Sequence, residues 1–420
     1  MSATQPWQPS TAAGRPDPAA RPPLITRPLL VRFVSVIGAE TSFFLPLSVV
    51  PLYVKSSSGS SAGAGLATGA LLAAGVAGEL VTPRVVSRAG YRLSLAVGLI
   101  LLGAPALTLL WPVSLPAVVA VNVARGLGFA ITTVAGGALT TLLIPAERRG
   151  EGLGLYGVVA GVPALVSLPA GVWAAGRWGY GPVFAVTAAA ALLALVSVLG
   201  LPGRRPPASQ RAQGVLAGLR NPCMLRLALV FTASAAAAGV LVTFVPLAVT
   251  TGTATAALFT QPAAATAARW AAGRIGDRRG HARLLVPGVL LSSAGMALLA
   301  AVPVPAVVVA GAASFGTGFG ILQNATLAMM YARAPRGDYD AVSAIWNAAW
   351  DAGMGAGAAV IGLLVATAGY RATFLITAAL VLPALVPVLR ERHGRSMRLN
   401  PVARDSTAQV TTQKGASNDE

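Results

Sequence analysis

Glu40, Arg125 and Asp351 are the residues of this sequence whose type and position could do chemistry. Each interrupts a long apolar run: the charges nearest to Glu40 are Arg32 and Lys55, and those nearest to Asp351 are Asp340 and Arg371. A charge at the middle of a membrane helix costs on the order of 3 kcal/mol on insertion scales. Such a side chain is expected to meet a partner or a wet cavity rather than lipid. A carboxylate in that setting takes up and releases a proton, and a guanidinium holds an acceptor or an anion.

Polar companions lie close in sequence. Asp351 stands one helical turn after Asn347, so the two share a face. Trp346 and Trp350 repeat that spacing and set an aromatic stripe beside the polar one. The preceding apolar run carries Gln323 and Asn324, and an earlier one carries Gln261 before Pro262. Polar groups inside a span need partners, which a cavity supplies as water or solute. Helix packing is the competing reading for the tryptophans, and interhelical hydrogen bonding for Asp351.

The elements that must position these groups are membrane helices. Hydrophobic residues make up 55% of the 420-residue chain and charged residues 10%, against about 25% charged in a soluble domain. The surface must therefore face lipid. The apolar runs are long rather than short and alternating, which excludes a strand barrel. No charge occurs between Arg226 and Arg269, or between Arg283 and Arg333. Each gap holds two crossings of about 20 residues. Twelve spans are predicted, the first near 29–54 and the last near 370–389. Glu40, Arg125 and Asp351 then sit about 16 Å along their helices, close to the midplane of a layer about 30 Å thick.

The net charge of +18 suggests nucleic acid only until its distribution is read. With an inner N-terminus, Lys55, Arg177 and Arg371 are the basic residues left in outer loops. This is the positive-inside pattern of a multi-pass protein of the cell membrane with both termini cytoplasmic. No basic folded domain remains for nucleic acid. A lone Cys223 builds no thiolate cluster, and His281 and His393 both fall in inner segments, so neither a metal nor another cofactor is expected. No GxxxxGK[ST] phosphate loop supports ATP hydrolysis.

The chain repeats itself at an offset of 190. The inner loop GRIGDRRGHARLL, Gly273–Leu285, has a degraded copy in PRVVSRAGYRLSL, Pro83–Leu95. Arg88 matches Arg278 and Gly90 matches Gly280. GLGFAI at 126–131 matches GTGFGI at 316–321, GYGPVF at 179–184 matches GYRATF at 369–374, and Pro145 matches Pro335. The pattern predicts an all-α membrane protein of twelve helices in two pseudo-symmetric six-helix bundles. The expected boundaries are a disordered tail 1–26, a first bundle 27–201, a linker 202–222, a second bundle 223–389 and a tail 390–420.

At this point the chain resembles the major facilitator superfamily over residues 27–390. Gly273, Asp277, Arg278 and Gly280 match that family's inner-loop motif, G-x-x-x-D-R-x-G. The first copy keeps Arg88 and Gly90 but has Pro83 and Ser87 in place of the glycine and the aspartate. The resemblance implies a latch that closes the cytoplasmic side, with Arg84 beside it and Glu79 standing in for the missing aspartate. In span four Gly126 and Gly128 match the family's R-x-x-Q-G-x-G motif, with Asn122 at the arginine position and Arg125 at the glutamine position. Gly157, Gly161 and Pro163 in span five lean toward the drug:proton antiporter branch.

The resemblance places spans one and four side by side around a cavity, which pairs Glu40 with Arg125. A proton switch and a static ion pair both fit that pairing. The implied activity is secondary transport by alternating access, with protons exchanged for a small amphipathic or hydrophobic molecule by a monomer. Uptake or facilitated diffusion of a metabolite is the alternative, and a receptor or scaffold a remote one. An enzyme is not expected.

Overall fold

A computed structural model describes residues 23–145, 149–203, 221–334 and 339–389. Most of the tails expected at 1–26 and 390–420, most of the linker, Pro335 and His393 lie outside the described residues. The described chain is helical, and each helix boundary has a local cause.

The first apolar run is two helices rather than one, α1 (Arg27–Phe44) and α2 (Val49–Ser58). Proline has no N–H to donate, so Pro46 interrupts the ladder and the chain makes tight turns from Phe44 to Val49. Gly59, in the left-handed conformation at φ 69°, ends α2. The Ser60 hydroxyl then accepts from the Gly63 N–H and caps α3 (Ser61–Gly103). Next come α4 (Leu115–Leu143), α5 (Arg149–Trp178) and α6 (Tyr180–Val198). The second half holds α7 (Pro222–Ala248), α8 (Thr251–Arg279), α9 (Leu285–Leu299), α10 (Pro305–Tyr331) and α11 (Tyr339–Val381).

Nine stretches among the described residues are long and apolar enough to cross a membrane. The two longest, Ser61–Leu110 and Val342–Leu389, each cross twice, because α3 reverses at Gly90 and α11 at Gly369. Helix α8 is less apolar and runs alongside α5 and α10.

The 190-residue repeat is written into the backbone. Gly90 and Gly280 have φ of 77° and 87°, and Gly179 and Gly369 have φ of 81° and 75°. Side chains rarely adopt that region, so glycine recurs where each half turns. Packing repeats as well. A Cβ on Gly126 would run into the Leu71 carbonyl, and one on Gly316 into the Gln261 carbonyl, each contact displaced by the same offset. Gly369→Ala is expected to cost about 1–2 kcal/mol, all of it backbone strain, since nothing lies within 4 Å of that Cβ position. Gly181→Ala, equally open but without positive φ, is expected to melt within a degree or so of the parent by the ~0.5 kcal/mol scale of surface changes.

Leu72, Leu99, Phe184, Phe231, Phe244 and Phe315 are fully buried. Outward-facing residues such as Leu193, Val196 and Leu363 remain exposed. Helices apolar on their outer faces suit a lipid solvent.

Candidate functional site

Arg125 lies at the break in the first apolar run. It is 1% exposed, and its Nη2 donates to the Ser42 carbonyl at 2.7 Å. Ser42 is four residues before Pro46, so its carbonyl is the one deprived of its helical donor. The guanidinium also donates through Nε to the Leu102 carbonyl at 3.2 Å, and Asn122 on the same helix donates to the Ala67 carbonyl at 2.9 Å. These two side chains join α1, α3 and α4 at one level.

The expected pairing of Glu40 with Arg125 is not made. The guanidinium is taken up by carbonyls, and a residue two positions from Ser42 lies about 200° round the helix. The cation acting on Glu40 is Arg32, two turns earlier on α1. Arg32 is itself buried and donates to the Gly136 carbonyl of α4 at 3.2 Å and to the Ser35 hydroxyl at 2.6 Å. Tyr156 of α5 lies within the field of both Arg32 and Glu40. Glu40 is half-buried and accepts no hydrogen bond among the described residues.

In the second half, Trp346 and Trp350 join an aromatic cluster. Trp346 stacks on Phe231 with ring centres 4.4 Å apart and planes 11° apart, and donates from Nε1 to the Thr326 hydroxyl at 3.2 Å. Trp350 leans on Phe319 at 5.3 Å. These contacts join α7, α10 and α11 within one half. Gln323 accepts from Arg269 of α8. Asn324 faces Gly273, and its Oδ1 is buried without a hydrogen-bond partner among the described residues. Asn347 is half-buried on α11, one turn before Asp351.

Asp351 is 8% exposed and points across to the first half. A Cβ on Gly75 of α3 would stand 3.1 Å from its Oδ2. Glu79, one turn after Gly75, feels the charge of Asp351. The charge acting on Glu79 is thus that of the facing half, where a partnership with Arg84 was expected.

The two halves touch at the end of the bundle away from the basic loops. Ser48 donates to the Val242 carbonyl at 2.9 Å, the carbonyl that Pro246 leaves without its helical donor. The Ser61 and Tyr370 hydroxyls are 3.2 Å apart. Gly65 packs on Ala358 and Gly362, Gly69 on Ala359, and Gly176 on Thr251. Toward the basic end no such contact between the halves is made among the described residues. Gly137, Gly157 and Gly161 have nothing within 4 Å of their Cβ positions. Asp277 is largely exposed and reaches only His281 of its own loop, at 3.8 Å. Among the described residues no hydrogen bond or ion pair joins Arg84, Arg88, Asp277 or Arg278 to the opposite half. Gly90 and Gly280 make the turns, and Gly273 lies against Asn324.

Sequence reasoning passed over Arg32 and Arg269. Arg32 looked like an ordinary charge at a helix end. Gly136, where a Cβ would overlap its guanidinium, was the signal for it. Arg269 stands 190 residues after Glu79, so the repeat already marked it.

A family model described as the Major Facilitator Superfamily matches residues 32–269 and 227–414. Solved structures share the architecture. The nucleoside transporter NupG is 12% identical, with 87% of this chain and 99% of that one covered at a TM-score of 0.72. A POT family transporter in complex with 5-aminolevulinic acid is 12% identical, covering 86% and 95% at 0.72. The xylose transporter XylE from E. coli, in a partially occluded inward open conformation, is 15% identical, covering 86% and 96% at 0.68. No curated protein sequence matches the chain. At these identities the likeness is one of fold.

Proposed function

The chain belongs to the major facilitator superfamily, and on that premise we propose that it exports a small amphipathic or hydrophobic molecule from the cell in exchange for protons. The observation that carries this reading is the shape of the contact between the halves. They meet from Ser61 and Tyr370 down to Gly75 and Asp351, and among the described residues no such contact continues beyond it, as in a carrier open to one side. The basic loops lie on the open side, and the positive-inside rule makes that side the cytoplasm.

Protons suit the groups near the opening. Glu40 lacks a hydrogen-bond donor among the described residues, and Glu79 lies within the field of Asp351. The buried cations Arg32 and Arg125 are taken up by carbonyls, and Arg269 donates to Gln323. The apolar lining of the helices favours solutes with apolar surface. The protein acts as a monomer in this reading, since one chain supplies both halves.

Reconstitution with an imposed pH gradient tests the proposal, reading solute and proton movement together across a panel of candidate compounds. An exporter accumulates its substrate in inverted vesicles and moves protons the other way. Accumulation in right-side-out vesicles would assign uptake instead. Glu40→Gln is expected to abolish the proton-coupled component while the protein still reaches the membrane. Unchanged coupling in that variant removes Glu40 from the proton path.

A further inference from the structure

We propose that Glu79 and Asp351 form a proton-sharing clasp between the two halves, whose protonation decides whether the outer contact holds. The inference rests on the proton-coupled reading above and goes beyond it by naming a site and what it controls.

The geometry is that of a wedge. The first crossing of α3 lies along the first crossing of α11, glycine against glycine and alanine, from Gly65 on Gly362 to Leu72 on Gly355. Gly75 against Asp351 is the last of these contacts among the described residues. Glu79 shares the face of Gly75 one turn further on. Glu79 therefore follows the Gly75–Asp351 contact by one turn, and the two carboxylates, one from each half, lie within each other's field at the vertex. Asp351 is more than nine-tenths buried and accepts no hydrogen bond among the described residues.

Among the described residues neither carboxylate makes an ion pair with a cation. The charge acting on Glu79 is Asp351. On the helices packed around them, Arg125 of α4 is directed at the Ser42 and Leu102 carbonyls. Arg32 and Glu40 of α1 act on each other, and Arg269 of α8 is directed at Gln323. Arg226 of α7, Tyr331 of α10, and Arg84 and Arg88 of α3 itself lie toward the basic end, and Lys55 of α2 toward the other. Burial and Asp351 are what act on Glu79, and burial on Asp351.

Two ionised carboxylates in each other's field, away from water, repel. One proton between them turns that repulsion into an O–H···O hydrogen bond. With the proton present the vertex closes and the outer contact holds. With both groups ionised the vertex opens and the contact is lost. The pseudo-symmetric position to Glu79 is Arg269, and that to Asp351 is Gly161. The clasp thus exists in one of the two interfaces and makes the halves unequal.

Spin labels at S57C and G252C in a C223S background read the outer separation by pulsed EPR, without substrate or gradient. In the parent the outer-closed population is expected to fall at least about tenfold between roughly pH 5 and pH 9, tenfold being one pK unit of differential interaction. The pair E79Q and D351N together should flatten that response. Glu79→Arg, which places a cation opposite Asp351, should hold the outer side closed throughout. A pH response that survives in both variants, each checked for monodispersity, overturns the clasp. Proton-coupled transport by the parent would then still stand, whereas solute movement without protons would remove the proton-coupled reading itself.

Discussion

Replacing Arg125 by methionine is expected to destabilise the protein by about 3 kcal/mol or more, from charge-assisted hydrogen bonds worth about 1.5–3 kcal/mol each and a buried acceptor left bare. Thermal unfolding in detergent measures the loss. The argument is local: Pro46 deprives the Ser42 carbonyl of its donor, and Arg125 supplies one at 2.7 Å. Lysine is not a substitute, because an ammonium cannot span the Ser42 and Leu102 carbonyls as a planar guanidinium does. The double mutant is diagnostic. Pro46→Ala restores a backbone N–H to the Ser42 carbonyl, so Arg125→Met should cost about 1 kcal/mol less in that background. Strict additivity would show that the guanidinium does not serve the break.

Oxidising a G176C/T251C variant is expected to reduce transport to background, with recovery on adding a thiol reductant. A Cβ on Gly176 stands 3.5 Å from the Thr251 Cβ, inside the range of about 3.5–4.5 Å that a disulfide bridges. The bridge would tie the end of α5 to the start of α8, on the side where the halves already meet. Alternating access requires that side to open once per cycle. A bridge shown closed by mass spectrometry, with transport unchanged, would refute rocking of the halves about this contact.

Much of the architecture was legible in the sequence. The offset of 190 aligned Gly90 with Gly280, Gly179 with Gly369 and Gly126 with Gly316, and the structure gives the members of each pair the same turn or the same packing, because a duplicated backbone demands glycine at duplicated places. The crossings around Gly90 and Gly369 were read as separate spans, and they are, though one residue suffices to turn each pair. The break at Pro46 was missed because apolar composition is blind to the ladder of donors. That omission misdirected Arg125 toward Glu40. Glu79 was assigned to Arg84 because sequence proximity shows only neighbours on the same helix, while the facing residue, Asp351, comes from a helix 272 positions away. The tryptophan stripe kept its spacing but packs on Phe231 and Phe319, the packing alternative already weighed for it.

The glycine and alanine faces of α3 and α11 have a mechanical consequence. Side chains that interlock must change rotamer before one helix can tilt on another. Small residues let the backbones approach closely with nothing to interlock. Gly65, Gly69, Gly355, Ala358, Ala359 and Gly362 therefore form a smooth bearing, over which the halves can roll with little friction. The tight glycine turns at Gly90 and Gly369 leave no slack between paired helices, so each pair is a stiff lever on that bearing. Enlarging a bearing residue should slow the motion before it weakens the fold.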